Sequence, residues 1–111
     1  MATKKDISML GLEIVAYAGD AQTDLISALR AAQTGDFNKA RELHESARQT
    51  IIDAHQTQTK LLSAEAGGSE MDVTFIMVHA QDLLMTTMMW EKQTEFFIDQ
   101  YERIAKLESS R

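Results

Sequence analysis

Proline is absent from the 111 residues of this chain, and its absence constrains the fold more than any other feature of the sequence. Proline interrupts helices most strongly, and the five glycines, at positions 11, 19, 35, 67 and 68, leave few residues for turns. A β-sheet protein needs more turn residues than this, so the composition predicts an all-α fold. Cysteine is also absent, which excludes disulfides, thiolate zinc sites and a cysteine nucleophile.

Apolar residues recur at spacings of three and four along three segments of the chain, which is the period of an amphipathic helix. The stripes predict helices over about residues 5–33, 37–65 and 73–107. Asp36 suits the N-cap of the second helix, and Asp72 or Thr74 that of the third. Short connections between such helices predict one domain over residues 1–111, folded as an up-down-up three-helix bundle with coiled-coil-like packing.

The third predicted helix opens with VTFIMVHAQDLLMTTMMW, residues 73–90, in which Asp82 is the one formal charge and His79 the one imidazole. Helical projection places Met77, Leu84 and Met88 on the side opposite Phe75, Ile76, Leu83 and Trp90, so this helix is apolar all round. In so small a bundle such a helix needs a partner surface, and further copies of the chain are the simplest partner. We therefore expect a homo-oligomer, while the central carboxylate argues against a membrane-spanning helix.

Charge and the N-terminal residues bear on partners and location. Eleven basic and seventeen acidic residues give a formal net charge of −6, and the basic residues are scattered. This pattern argues against nucleic acid or an anionic membrane as a partner and favours proteins or small molecules. The segment MATKKDISML lacks the apolar region of a signal peptide, so we expect a cytoplasmic protein.

His79 and Asp82 are three residues apart and therefore share one helix face, with Thr86 one turn further on. One interpretation is that His79 is a core histidine with a structural hydrogen bond. The other is that it is a nucleophile, because a neutral imidazole has a free lone pair that can attack phosphorus and form a labile bond.

The run VHAQDLLM resembles the active-site helix of the IIA component of the lactose/cellobiose (N,N′-diacetylchitobiose) family of the bacterial phosphoenolpyruvate-dependent sugar phosphotransferase system. The segments AGDAQTDLISALRAAQTGDFNKA and AHQTQTKLLSAEAG are similar to that family's first two helices, in the same order. The resemblance covers nearly the whole chain from about Leu10 onward. It implies a cytoplasmic three-helix protomer that assembles into a homotrimer, a nine-helix bundle.

The resemblance also implies a role for His79. This residue would accept a phosphoryl group from the phosphorylated carrier protein HPr. It would then pass the group to a cysteine of the cognate IIB component, during uptake and phosphorylation of a lactose-, cellobiose- or chitobiose-type sugar. No cofactor is needed for this histidine phosphoryl transfer.

Asp82 matches the family aspartate near the trimer axis, where three carboxylates would need protons or a shared divalent cation such as Mg²⁺. The family commonly has a second histidine four residues after the first, where this chain has Leu83. That departure bears on the rate, the pH dependence or the choice of partner.

The remaining candidates are weaker, and two other functional classes stay open. We expect Gln81 to pack against a neighbouring helix and His44 to face solvent. His55 is expected at a hydrogen-bonded position in the bundle, or with Gln58 at a subunit seam. The chain could instead be a non-catalytic oligomeric interaction or regulatory module with a structural His79, or a metal-binding bundle.

Overall fold

The computed structural model describes residues 3–110 and contains three α-helices, α1 (Lys4–Gln33), α2 (Phe37–Ala66) and α3 (Phe75–Ser109). They run up, down and up in a bundle measuring 64 × 21 × 18 Å. All the regular secondary structure in the described part of the chain is helical. The predicted all-α, three-helix architecture is therefore confirmed.

Side-chain caps fix the start of each helix. Thr3 and Asp6 form a reciprocal capping box, in which the Thr3 N–H donates to the Asp6 carboxylate and the Asp6 N–H donates to the Thr3 hydroxyl. Hydrogen bonding to the backbone and side chain of Thr3 holds the pKa of the Asp6 carboxyl below its usual range. Asp36 caps α2 and Thr74 caps α3, each by accepting a backbone N–H three residues further on. Of the two caps considered for the third helix, Thr74 is therefore the one used.

The helix boundaries differ from the predicted ones by one or two residues. Thr74 has an extended backbone, so α3 begins at Phe75 rather than at residue 73, and it continues to Ser109 rather than ending at residue 107. Helix α2 extends to Ala66, where the Gly67 N–H donates back to the carbonyl of Ser63. Between α1 and α2, Gly35 has φ +85°, a conformation that strongly favours glycine at this tight reversal.

Small residues dominate the core and allow the helices to approach closely. The most completely buried apolar side chains are Ile14, Ala18, Ala21, Leu25, Ala28, Ala40, Ala47, Ala54, Ala80 and Leu84. Helix α1 packs along both other helices. At Gly11 the approach is so close that an added Cβ would lie 3.1 Å from Ile76 Cγ2 and 3.3 Å from Met77 Cα.

Polar side chains inside the bundle attach α3 to both neighbours. The Gln22 amide donates to the Thr87 hydroxyl at 2.8 Å, and that hydroxyl donates to the Leu83 carbonyl at 2.7 Å. On the other side of α3, the buried Gln58 amide donates to the Gln81 side-chain oxygen. Gln81 thus packs against a neighbouring helix, as predicted. Together these bonds fix the rotation of α3 about its own axis.

Across residues 3–110, none of the helices has a stretch that is both long and apolar enough to cross a bilayer.

Candidate functional site

His79 lies in the second turn of α3, on the side that faces away from the bundle. The inward side of this part of α3 carries Ala80, Leu84 and Thr87, all fully buried, which directs His79 outward. Asp82 is exposed as well. These two residues were predicted to share one face of the helix, and the structure agrees.

Hydrogen bonds near this turn of α3 join its other polar groups. Met77 and Gln81 are connected within the helix, and Gln81 also contacts α2. Among residues 3–110, none of the hydrogen bonds or ion pairs engages the His79 imidazole. Both of its ring nitrogens are therefore available to a reaction partner.

Large apolar side chains cover the outward side of α3 along most of its length, and this surface is here called the outer face of α3. It consists of Phe75, Val78, Met85, Met89, Trp90, Phe96, Phe97, Ile104 and Leu107, all exposed. Phe75 is 90% exposed and Leu107 is 69% exposed, so the apolar character persists at both ends. The prediction of a helix that is apolar all round is confirmed.

The residues one helical turn from His79 are Phe75 and Ile76 on the N-terminal side and Asp82 and Leu83 on the C-terminal side. Asp82 is the ionisable one among these four. Leu83 is half-buried, and its carbonyl accepts from the Thr87 hydroxyl that pairs with Gln22 of α1. The environment that α3 supplies to the imidazole is therefore one carboxylate and an apolar wall.

His44 is half-buried, so the prediction that it faces solvent is wrong. Its Nε2 lies 3.0 Å from the Glu91 carbonyl oxygen and 3.5 Å from the Glu91 carboxylate. Helix α3 covers the ring, and the side chains of His44 and Glu91 are only 12% and 14% exposed. His44 thus fastens α2 to α3 and does not belong to the surface around His79.

His55 is exposed, and it is not the hydrogen-bonded bundle position that was predicted. It lines an open groove of about 410 Å³ between α2 and α3, together with Arg48 and Lys92. Gln58 is buried beneath α3 instead of standing beside His55 at the surface. In the same region Arg48 donates to Glu45 at 3.0 Å, which lowers the pKa of the Glu45 carboxyl and raises that of Arg48.

A metal site within one chain finds no support. Over residues 3–110, there is no group of three His, Cys, Asp or Glu side chains placed to hold a metal ion. His79 and Asp82 alone do not make such a site. Asp82 nevertheless offers an exposed carboxylate on the outward side of α3, where other copies of the chain could add equivalent oxygens.

A surface feature on the side of α3 that faces α2 was not predicted from the sequence. A cleft of about 270 Å³, here called the end cleft, lies where α2 ends and the connection leads into α3. It is lined by Ile7, Leu61, Leu62, Glu65, Met71, Asp72, Val73, Met77, Val78 and Gln81. The available signal was the pair Met71 and Val73 in a connection that is otherwise polar or glycine-rich.

Comparison with known families decides what this arrangement belongs to. Residues 9–102 match the family model described as PTS system, lactose/cellobiose specific IIA subunit. This chain belongs to that family. The resemblance drawn from the sequence motifs is confirmed.

Individual relatives agree with this assignment. The lactose-specific EIIA component of the phosphotransferase system from Lacticaseibacillus casei is 60% identical over 109 residues, which are 98% of this chain and 97% of the relative. The crystal structure of the cellobiose-specific enzyme IIA from Bacillus anthracis has a TM-score of 0.87 at 28% identity, covering 96% of this chain and 95% of that one.

One structural neighbour was solved with a partner. The solution structure of the N,N′-diacetylchitobiose-branch IIA protein of Escherichia coli in complex with HPr has a TM-score of 0.78 at 30% identity. It covers 89% of this chain and 96% of that one. These relatives support a phosphotransferase-system role for the chain.

Proposed function

We propose that this chain is the phosphocarrier of a sugar phosphotransferase system, with His79 as the residue that carries the phosphoryl group. It accepts the group from phospho-HPr and transfers it to a cysteine of the cognate IIB component, during uptake of a lactose-, cellobiose- or chitobiose-type sugar. The neighbour solved with HPr supports the donor, and the family supports the role.

The observation that carries the proposal is the exposed and unengaged His79 imidazole on the outward side of α3. A structural histidine would have a protein partner, as His44 has in Glu91. A phosphoryl carrier must instead present a ring nitrogen to two different proteins in turn. Exposure in the second turn of a rigid, capped helix meets that requirement.

The chemistry consists of two displacements at phosphorus. In the first, the lone pair of a His79 nitrogen forms the new N–P bond while the bond from phosphorus to the donor breaks and its electrons return to the donor. In the second, a thiolate of IIB forms an S–P bond while the N–P bond to His79 breaks. The main contribution of the protein is to hold the imidazole in line with the incoming phosphorus.

We also propose that the outer face of α3 from Met85 to Leu107 is buried by two further copies of the chain, in a trimer with the α3 helices nearest the axis, while the first turns of α3 stay open so that His79 is accessible. A contiguous apolar surface along a helix of 35 residues is more than a monomer ordinarily exposes. A closed three-fold arrangement covers the same surface in every copy. The protein acts in the cytoplasm, where HPr and IIB would have access to His79.

Asp82 lies on the outward side of α3, so such a trimer brings three Asp82 carboxylates towards one another. Three negative charges at short range repel, and a shared hard cation such as Mg²⁺ would relieve the repulsion. Carboxylate oxygens suit that ion. We propose Asp82 as its ligand, with a role in holding the subunits together and none in the displacement at phosphorus.

The deciding experiment is acid-labile phosphorylation by phosphoenolpyruvate, its protein kinase and HPr, comparing wild type with His79→Ala. We expect one phosphoryl group per wild-type chain and none on the variant. His55→Ala is the matched control, because it removes another exposed imidazole and should leave labelling unchanged. Unlabelled wild type would instead favour the non-catalytic interaction module.

A further inference from the structure

Two glutamines interrupt the apolar surface on the outward side of α3. Gln93 and Gln100 are seven residues apart, so they occupy the same strip of the helix, and both are exposed. The phosphoryl transfer and the cation site proposed above use neither of them. An amide on a surface that other copies bury needs a hydrogen-bond partner there, because an unpaired polar group is costly to bury.

The strip that contains these glutamines has the spacing of a coiled-coil contact. Its residues follow one another at alternating intervals of four and three, and all of them are exposed in the single chain. This strip is here called the α3 seam, and it consists of Asp82, Thr86, Met89, Gln93, Phe96 and Gln100. Such alternation keeps one line of side chains facing a partner helix over several turns. The α3 seam therefore indicates a partner that is itself a long helix.

The two glutamines of the α3 seam lack partners within their own chain. Over residues 3–110, neither side chain takes part in a hydrogen bond, whereas the amides of Gln22 and Gln58 each bond to a side chain of α3. The residues of the seam on either side of Gln93 are Met89 and Phe96, which are 56% and 73% exposed. A partner surface must therefore offer an amide or hydroxyl at the level of each glutamine and apolar groups between them.

A further copy of α3 presents this order of side chains. In a parallel, in-register trimer each residue of the seam faces its own equivalent, so Gln93 meets Gln93 and Phe96 meets Phe96. Three amides at one level can close a ring in which each N–H donates to the carbonyl oxygen of the next side chain. A copy shifted by three or four residues, or an antiparallel copy that overlaps the whole seam, places Gln93 against Phe96 or Met89. The amide then stays unpaired.

We propose that Gln93 and Gln100 form two rings of hydrogen-bonded amides across the trimer and fix its three α3 helices parallel and in register. This assignment rests on the trimer proposed above. Buried amides stabilise an assembly less than leucines would, and they act by excluding other alignments. A fixed register places the three His79 residues at the same end of the assembly and at the same level along its axis.

The test replaces both amides and measures the register directly. Because the chain has no cysteine, Ser110→Cys after the end of α3 gives one site for a nitroxide spin label in each copy. Pulsed electron paramagnetic resonance measures the distances between labels in the otherwise wild-type chain, in Gln93→Leu/Gln100→Leu and in Gln93→Asn/Gln100→Asn. The matched control is Gln49→Leu/Gln56→Leu, since these glutamines are also exposed and seven residues apart, on α2. Sedimentation of each protein is measured in parallel.

We expect one short label distance for wild type, for the asparagine variant and for the control, since a parallel, in-register trimer holds the three chain ends together. The leucine variant should add a second distance above about 40 Å, because an antiparallel copy carries its label to the opposite end of the helix. Its subunits should also exchange between labelled and unlabelled trimers about ten-fold more slowly, since leucine is more favourable than glutamine in a buried contact.

A leucine variant that keeps one short distance, whatever its exchange rate, would overturn the role of the two glutamines while leaving the trimer and the phosphocarrier function intact. A second, long distance in the asparagine variant would also overturn it, because the amides would then not determine the alignment. If wild type sediments as a single chain, the trimer proposal fails and this assignment fails with it. Phosphorylation of His79 is measured separately from all three outcomes.

Discussion

The two sides of α3 are both apolar, yet they are built from residues of different size. The inward side carries Ala80, Leu84, Thr87, Thr94 and Ile98, which are buried. The outward side carries phenylalanine, methionine and tryptophan, which are exposed in the single chain. In a self-sufficient bundle the larger residues would be expected inside, since they bury the most apolar area.

This difference indicates that the two sides of α3 serve different purposes, one in the folding of the chain and the other in its assembly. Small inward residues let α3 approach α1 and α2 closely, so the fold of the chain depends on fit more than on the amount of buried apolar area. The large outward residues contribute little to that fold, and they form the surface that we propose the trimer buries. Substitutions on the inward side should therefore alter folding, and those on the outward side should alter assembly.

The largest expected effect is the loss of the trimer in Met89→Glu. A carboxylate at the centre of the outer face would be buried in each of three copies, and an unpaired buried charge is strongly unfavourable. Sedimentation should give the mass of one chain instead of three, with unchanged helical circular dichroism. Ser63→Glu, at an exposed position on α2, is the control and should stay trimeric. If the Met89→Glu variant remains trimeric, the outer face is not the interface between the copies.

Next in size is the effect of Leu84→Ala on the inward side. Leu84 is fully buried, and truncating such a leucine leaves a cavity that costs about 2–5 kcal/mol of unfolding free energy. Met85→Ala, one residue along at a half-exposed position, should cost less than about 1 kcal/mol in urea unfolding at dilutions where the chain is monomeric. If both variants lose the same unfolding free energy, the outward side of α3 contributes to the fold of the chain as much as the inward side does.

The smallest effect distinguishes two glycines of α1. Gly11→Ala places a methyl group 3.1 to 3.3 Å from atoms of α3, so the close approach must loosen, at a cost of about 1 kcal/mol after the gain in helix propensity. Gly19 has no atom within 4 Å of the same position, and Gly19→Ala should stabilise by about 0.5–1 kcal/mol. Thermal unfolding of both variants measures whether each substitution raises or lowers the stability. A stabilised Gly11→Ala variant would show that α1 and α3 can move apart at this position without loss of stability.

Sequence periodicity was sufficient for the number of helices and for the two-sided apolarity of α3, because both depend on residues within one helix. That His79 and Asp82 share one helix face followed from the same spacing, but the spacing did not show that this face points outward. His44 could not be placed in this way, since its partner Glu91 lies 47 residues away on another helix.

The end cleft could not be predicted from the sequence, for a similar reason. It exists only because the connection before Thr74 folds back between the ends of α2 and α3, and no periodic pattern describes that path. The trimer, the Asp82 cation and the route of the phosphoryl group stay predictions, and the experiments above address the trimer and the phosphorylation of His79.

The hydrogen bonds of Gln22 with Thr87 and of Gln58 with Gln81 restrict which residues can be substituted while His79 keeps its orientation. They attach α3 from opposite sides, so turning the helix about its axis would break both. The direction in which His79 points is thus determined by residues that do not touch it. Surface positions around the histidine are free to adapt to new partners, whereas a change at Gln22 or Gln58 would redirect the histidine itself.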